Sequence, residues 1–122
     1  MKKILALAFL LFSFSAFAQK EIKLEEAAQH VGDSVTLTGK VYGLRYLADA
    51  KNSPTFINLG AAFPNQLLTV VIWGPVRSKM TTPPSEENSN GKQLTVTGKI
   101  ELYRGKPQIV VQDPAQLKMS NE

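Results

Sequence analysis

Between Val35 and Tyr42 apolar and polar residues alternate: Val35, Leu37 and Val41 fall on one side, and Thr36, Thr38, Lys40 and Tyr42 on the other. A period of two is that of a half-buried β-strand, so DSVTLTGKVYGLRYL predicts a long first strand. Gly39 and Gly43 interrupt it four residues apart, as glycines do where a strand bends or bulges. The polar stretch DAKNSPT then reads as a loop. Two shorter strands follow, TFINLG from Thr55 to Leu59 and LLTVVIW from Leu67 to Trp73, joined by the turn region GAAFPNQ and ended by Gly74-Pro75. A fourth strand, KQLTVTGKIELY, places Leu94, Val96, Ile100 and Leu102 inward. Arg104-Gly105-Lys106-Pro107 turns the chain into a fifth strand, Gln108 to Gln112, closed by Asp113-Pro114.

Ahead of the first strand the period changes. Leu24, Ala27, Ala28 and Val31 in LEEAAQHV follow the i, i+3, i+4, i+7 spacing of a short amphipathic helix, with Glu25 and Glu26 in its first turn and Gly32 placed to end it. Between the third and fourth strands VRSKM offers one helical turn, and TTPPSEENSNG, poor in apolar residues, reads as the least ordered part of the chain. One internal echo stands out: VTLTGKVY at Val35 to Tyr42 against LTVTGKIE at Leu94 to Glu101, with a glycine at the same phase. It suggests two similarly bent strands of one barrel. Five short strands with a long, coiled first one predict an all-β, partly open Greek-key barrel with a short N-terminal helix. A sandwich of similar size is the alternative, but it calls for seven strands.

Composition narrows the setting. MKKILALAFLLFSFSAFA has two lysines, an apolar run from Ile4 to Phe14 and Ala16-Phe17-Ala18 as a small-x-small cleavage signal, the pattern of a Sec signal peptide. The run is shorter than the roughly 20 residues a spanning helix needs. We therefore expect an exported protein, periplasmic or secreted, without a membrane anchor in its mature form. The organisation expected is a signal peptide over 1–18, a segment with the short helix over 19–32, the barrel over 33–118 and a flexible tail over 119–122. The chain contains no cysteine, so disulfides and zinc-thiolate centres are excluded and packing must hold the fold. Without Lys2 and Lys3 it carries 12 basic and 10 acidic side chains, a balance that only mildly favours anionic partners.

HVGDSVTLTGKVYG, TFINLGAAFPNQLLTVVI and GKQLTVTGKIELYRGKPQIVVQDPAQL together resemble the small bacterial exported OB-fold proteins, which are related in pattern to the OB domains that bind nucleic acids. The resemblance runs from about Leu24 to Leu117. It implies a five-stranded OB barrel with a ligand groove across strands two and three, flanked by the loops after strands one and four. Phe56 and Asn58 match outward positions on that face, Ile57 and Leu59 buried ones. Thr69, Val71 and Trp73 share one face of strand three, and Leu68, Val70 and Ile72 the other.

For single-stranded nucleic acid the parts needed are aromatic platforms and a basic rim. Phe56, Trp73, Tyr42 and Tyr103 are the aromatic candidates, and Arg45, Lys51, Lys99, Arg104 and Lys106 the basic ones. The ligand-binding set expected is Phe56, Asn58, Trp73, Tyr103, Arg104, Lys106, Arg45 and Lys51. The competing role for Phe56 and Trp73 is to seal an open end of the barrel against the helix. Enzymatic chemistry finds little to use. His30 is the only histidine, and the paired carboxylates Glu25-Glu26 and Glu86-Glu87 fall on a helix surface and in a loop, where neither makes a buried general acid. The staphylococcal-type nucleases also resemble this barrel, but their metal site needs arginine and acidic residues around strands two and three. TFINLGAAFPNQLLTVVIW has none. The expectation is a non-enzymatic envelope module without metal or cofactor that binds single-stranded nucleic acid or another polyanion. The alternative is a periplasmic protein-interaction or envelope-stress scaffold, with an envelope protein as partner; a small-sugar binder ranks third.

Overall fold

The computed structural model describes residues 20–120; the expected signal peptide lies outside them. Eight strands form one sheet: β1 (Lys20–Glu21), β2 (Ser34–Tyr46), β3 (Thr55–Leu59), β4 (Leu68–Ile72), β5 (Gln93–Lys99), β6 (Glu101–Tyr103), β7 (Lys106–Val111) and β8 (Leu117–Ser120). Antiparallel pairing joins β2 to β3 and β3 to β4, and β7 then lies parallel to β4, with β6 antiparallel at its far side. β5 pairs antiparallel with the other edge of β2. β5 and β6 are two halves of one segment, parted at the fully buried Ile100, whose N–H donates to Asp33 O at 3.0 Å. The segment that lies beside β2 at one side of the sheet thus continues to its far edge at β7, and the sheet closes into a Greek-key barrel of five principal strands (β2, β3, β4, the β5–β6 segment and β7), with β1 added beside β2 and β8 beside β5.

The alternation read in the sequence puts the core where expected. Val35, Leu37, Val41, Ile57, Leu59, Leu68, Val70, Ile72, Leu94, Val96, Ile109 and Val111 all point inward and are buried; each stabilises the fold by about 1.5–3 kcal/mol relative to an exposed side chain. Leu102 departs from this. The break at Ile100 resets the phase of the strand, and Leu102 is 54% exposed. The echoed segments turn out to be partners of each other: Ser34 to Lys40 pairs antiparallel with Gln93 to Lys99, with Thr36 and Thr38 opposite Thr97 and Thr95 and their hydroxyls 2.9 and 2.7 Å apart. The register of this pair is regular through Gly39 and Gly98, so neither marks a bulge. A side chain at Gly39 would collide with Leu24 and Leu59, and one at Gly98 with Ile109; these glycines serve close packing. The irregularity in β2 lies between Val41 and Leu44, around Gly43.

The N-terminal helix is a 3-10 helix, Leu24–Gln29. Its side chains repeat every three residues, so Leu24 and Ala27 are buried while Ala28 and Val31, expected on the same face, are exposed. A helical turn does follow β4, but as α1 (Gly74–Arg77), which begins two residues ahead of VRSKM and overlaps it only at Val76 and Arg77. The stretch expected to be least ordered is held instead. α2 (Glu86–Ser89) is capped by Ser85 Oγ, which accepts from Asn88 N, and Ser89 is fully buried. Of the expected flexible tail, Met119 and Ser120 belong instead to β8, which pairs with Gln93 to Val96, and Leu117 and Met119 pack on the core; residues 121–122 lie outside the described residues. Gln116 anchors the approach to β8, accepting from Gln112 N and Asp113 N and donating to Thr97 O. Among the described residues no helix is long and apolar enough to cross a membrane.

Candidate ligand-binding groove

The outer face of β3 and β4 is the floor of a groove of about 450 Å³, a size typical of small-ligand sites. Because side chains alternate along a strand, the positions between inward Ile57, Leu59, Leu68 and Val70 point outward. They are Phe56 and Asn58 on β3 and Thr69 on β4, with Asn58 directly opposite Thr69 and Thr69 beside Gln108 of β7. Arg45 of β2 stands opposite Phe56.

One wall is the β6–β7 hairpin. Arg104 and Gly105 form its two-residue turn, both with positive φ, 53° and 80°, the twist that lets a two-residue turn join antiparallel strands. Glycine adopts that geometry freely, and the turn projects Tyr103, Arg104 and Lys106 along the groove's edge. The facing wall is the β3–β4 connection, with Phe63 at 72% exposure and Gln66 below it. Lys106 joins the two walls, donating from Nζ to Pro64 O at 2.6 Å. Arg104 lies with its guanidinium carbon 5.3 Å from the Tyr103 ring centroid, within reach of a cation–π attraction. No Asp or Glu lines the groove. The carboxylate of Glu101, on β6 opposite the lining residue Gln108, accepts from Gln108 Nε2 at 3.1 Å.

No protein-family model matches the sequence, and no curated protein matches it. Solved structures do match. The yeast Stn1 and Ten1 structure superposes with a TM-score of 0.58 at 9% identity, over 87% of this chain and 65% of that one. RecG bound to a three-way DNA junction gives 0.53 at 14%, over 86% and 13%, and the asparaginyl-tRNA synthetase of Entamoeba histolytica 0.50 at 22%, over 83% and 23%. The chain thus spans between 13% and 65% of the lengths of these structures. With the strand order and the barrel closure, the likeness decides the architecture. The fold is an OB barrel.

On this OB barrel six of the eight expected residues converge on one groove: Arg45, Phe56, Asn58, Tyr103, Arg104 and Lys106. Phe56 does not seal the barrel against the helix; the helix inserts Leu24 near Gly39 and Gly60. The structure places Trp73 and Lys51 elsewhere. Trp73 follows the last residue of β4, is 38% exposed and caps α1, so it does not line the groove. Lys51 is exposed in the connection after β2, which was expected to flank the site. That loop closes on itself through Leu47 N to Pro54 O and Ser53 Oγ to Ala48 O, and Asn52 O accepts from Gly74 N at 2.7 Å, tying it to the start of α1. The β3–β4 connection supplies the wall instead. Thr69, read in the sequence only as part of one face of strand three, completes the lining with Phe63, Gln66, Pro107 and Gln108, which were not singled out by sequence. An apolar ring in GAAFPNQ is the one signal that pointed to Phe63; the two glutamines carried none. Tyr42 and Lys99 lie outside the groove, the former with Lys40 Nζ 5.4 Å from its ring. His30 is also outside, its Nδ1 3.0 Å from Asp33 Oδ2. Among the described residues no cluster of His, Asp or Glu is suited to a metal ion.

Proposed function

We propose that this OB barrel is a non-enzymatic binding module that takes single-stranded nucleic acid, or another polyanion, in the groove on β3 and β4. The observation that carries the reading is convergence: three cations (Arg45, Arg104, Lys106) and three aromatic rings (Phe56, Phe63, Tyr103) share one depression that no carboxylate lines. Cations attract a phosphate backbone, and base stacking on an aromatic ring contributes about 1–3 kcal/mol per base. A fold-level likeness to chains that include a DNA-bound RecG agrees with this reading. Export to the periplasm, read from residues 1–18, would put the module in the bacterial envelope.

Charge reversal tests the location. Arg45→Glu and Arg104→Glu, on the groove, should each weaken binding of a labelled single strand by about tenfold or more, whereas Lys51→Glu, an equal change of charge outside it, should have a much smaller effect. Equal losses for all three variants would mean attraction by net charge alone and would refute a groove. The alternative, a protein-interaction or envelope-stress scaffold, draws support from Phe63 and Leu102, which are 72% and 54% exposed. Recovery of one stoichiometric envelope protein that Phe63→Ser releases, with no affinity for oligonucleotide, would favour it.

A further inference from the structure

One buried amide oxygen in the groove, that of Gln66, lacks a partner, and the neighbouring amide of Asn58 has no protein partner and is left to solvent. Asn58 lies mid-strand and is 9% exposed, and its side chain makes no hydrogen bond among the described residues. Gln66 donates from Nε2 to Thr69 Oγ1 at 2.9 Å, yet its Oε1 is shielded from solvent and has no donor. The bond to Thr69 can be kept in either orientation of the amide, since the hydroxyl both accepts and donates. A buried polar atom without a partner is destabilising and uncommon in native proteins. The two amides belong to one patch, since Asn58 is opposite Thr69 and Gln66 bonds to Thr69.

We infer that this amide floor recognises the edge of a nucleobase, an inference that rests on the function proposed above and narrows it from polyanion to base-bearing strand. A bare phosphate chain offers only acceptors, and Gln66 Oε1 requires a donor. Any ligand that covers Asn58 strips solvent from both a donor and an acceptor and must replace both. Nucleobase edges carry N–H donors beside carbonyl or ring-nitrogen acceptors, and their flat faces suit Phe56 and Tyr103. The terminal torsion of glutamine is soft, so the amide turns to a ligand at little expense. The cations hold the backbone; the amides demand a base.

The test compares three probes of matched charge by fluorescence anisotropy: a mixed-sequence DNA single strand, the abasic strand of the same length, and inorganic polyphosphate. The native protein should prefer the base-bearing strand by about tenfold. Gln66→Met should lose about three- to tenfold of affinity for that strand and none for the abasic one. Its urea midpoint should not fall, because the substitution also removes an unpaired buried oxygen. Asn58→Ala is the second variant and should shift the preference the same way. Equal affinity for base-bearing and abasic strands overturns the inference while leaving the polyanion reading intact. A preference that survives in both variants assigns it to stacking alone and overturns the amide role. Failure of all three probes to bind overturns the inference and the proposed function together.

Discussion

At the scale of single residues, Arg77 shows how far one side chain away from the groove secures the barrel. Its Nη1 donates to Thr55 Oγ1 at 3.1 Å and to Pro84 O at 2.8 Å, and the guanidinium carbon lies 3.9 Å from the centroid of the Tyr46 ring. Thr55 is fully buried, so losing Arg77 leaves its hydroxyl unpaired. We expect Arg77→Met to lower unfolding free energy by about 1–3 kcal/mol in urea with an unchanged m-value; no measurable loss would mean the three contacts do not hold in solution. The resemblance to OB-fold proteins marked Phe56 and Asn58 as outward residues and Ile57 and Leu59 as core, an assignment that the strand's side-chain alternation can carry because alternation is a local property. Gln66 and Gln108 were not legible. Their importance comes from what the barrel brings beside them, Thr69 across a turn and Glu101 across a hairpin, and neither neighbour is written in the residue itself.

At the scale of elements, strands with a buried face were readable and those without were not. β8 has the burial pattern of alternating half-buried and exposed positions, too weak to distinguish from a tail, and it forms because the edge of β5 is there to receive it. The 3-10 helix differs from the expected α-helix for a related reason: the contacts of Leu24 and Ala27 with the barrel select a three-residue repeat. The inward reading of Leu102 failed because alternation cannot register a break at a buried corner such as Ile100. Ending the chain at Gln116 removes β8 and the packing of Leu117 and Met119. Thermal and urea unfolding should then show a loss of about 2–4 kcal/mol, with faster amide exchange along β5. A melting temperature equal to that of the full chain would restore the view of this segment as a loose tail.

At the scale of the whole molecule, the two halves of the account rest on different kinds of information. Architecture follows from strand number, alternation and turn residues, all of which the sequence displays. The groove depends on a hairpin tip and a β3–β4 connection that meet only after the barrel closes, where Lys106 reaches Pro64 across 42 positions of chain. That closure also explains why Lys51 was misplaced: loop position in the sequence does not reveal which end of the barrel a loop covers. The central claim is electrostatic capture of a single strand by Arg45, Arg104 and Lys106. Each phosphate neutralised on a single strand contributes about 0.7 to the slope of log affinity against log salt. The most direct measurement is therefore the affinity of the chain for a labelled single-stranded oligonucleotide across a series of salt concentrations. Three groove cations should give a slope of about −2, falling by about 0.7 in Arg104→Ala. Binding that is absent at low salt, or a slope indistinguishable from zero, would contradict the account.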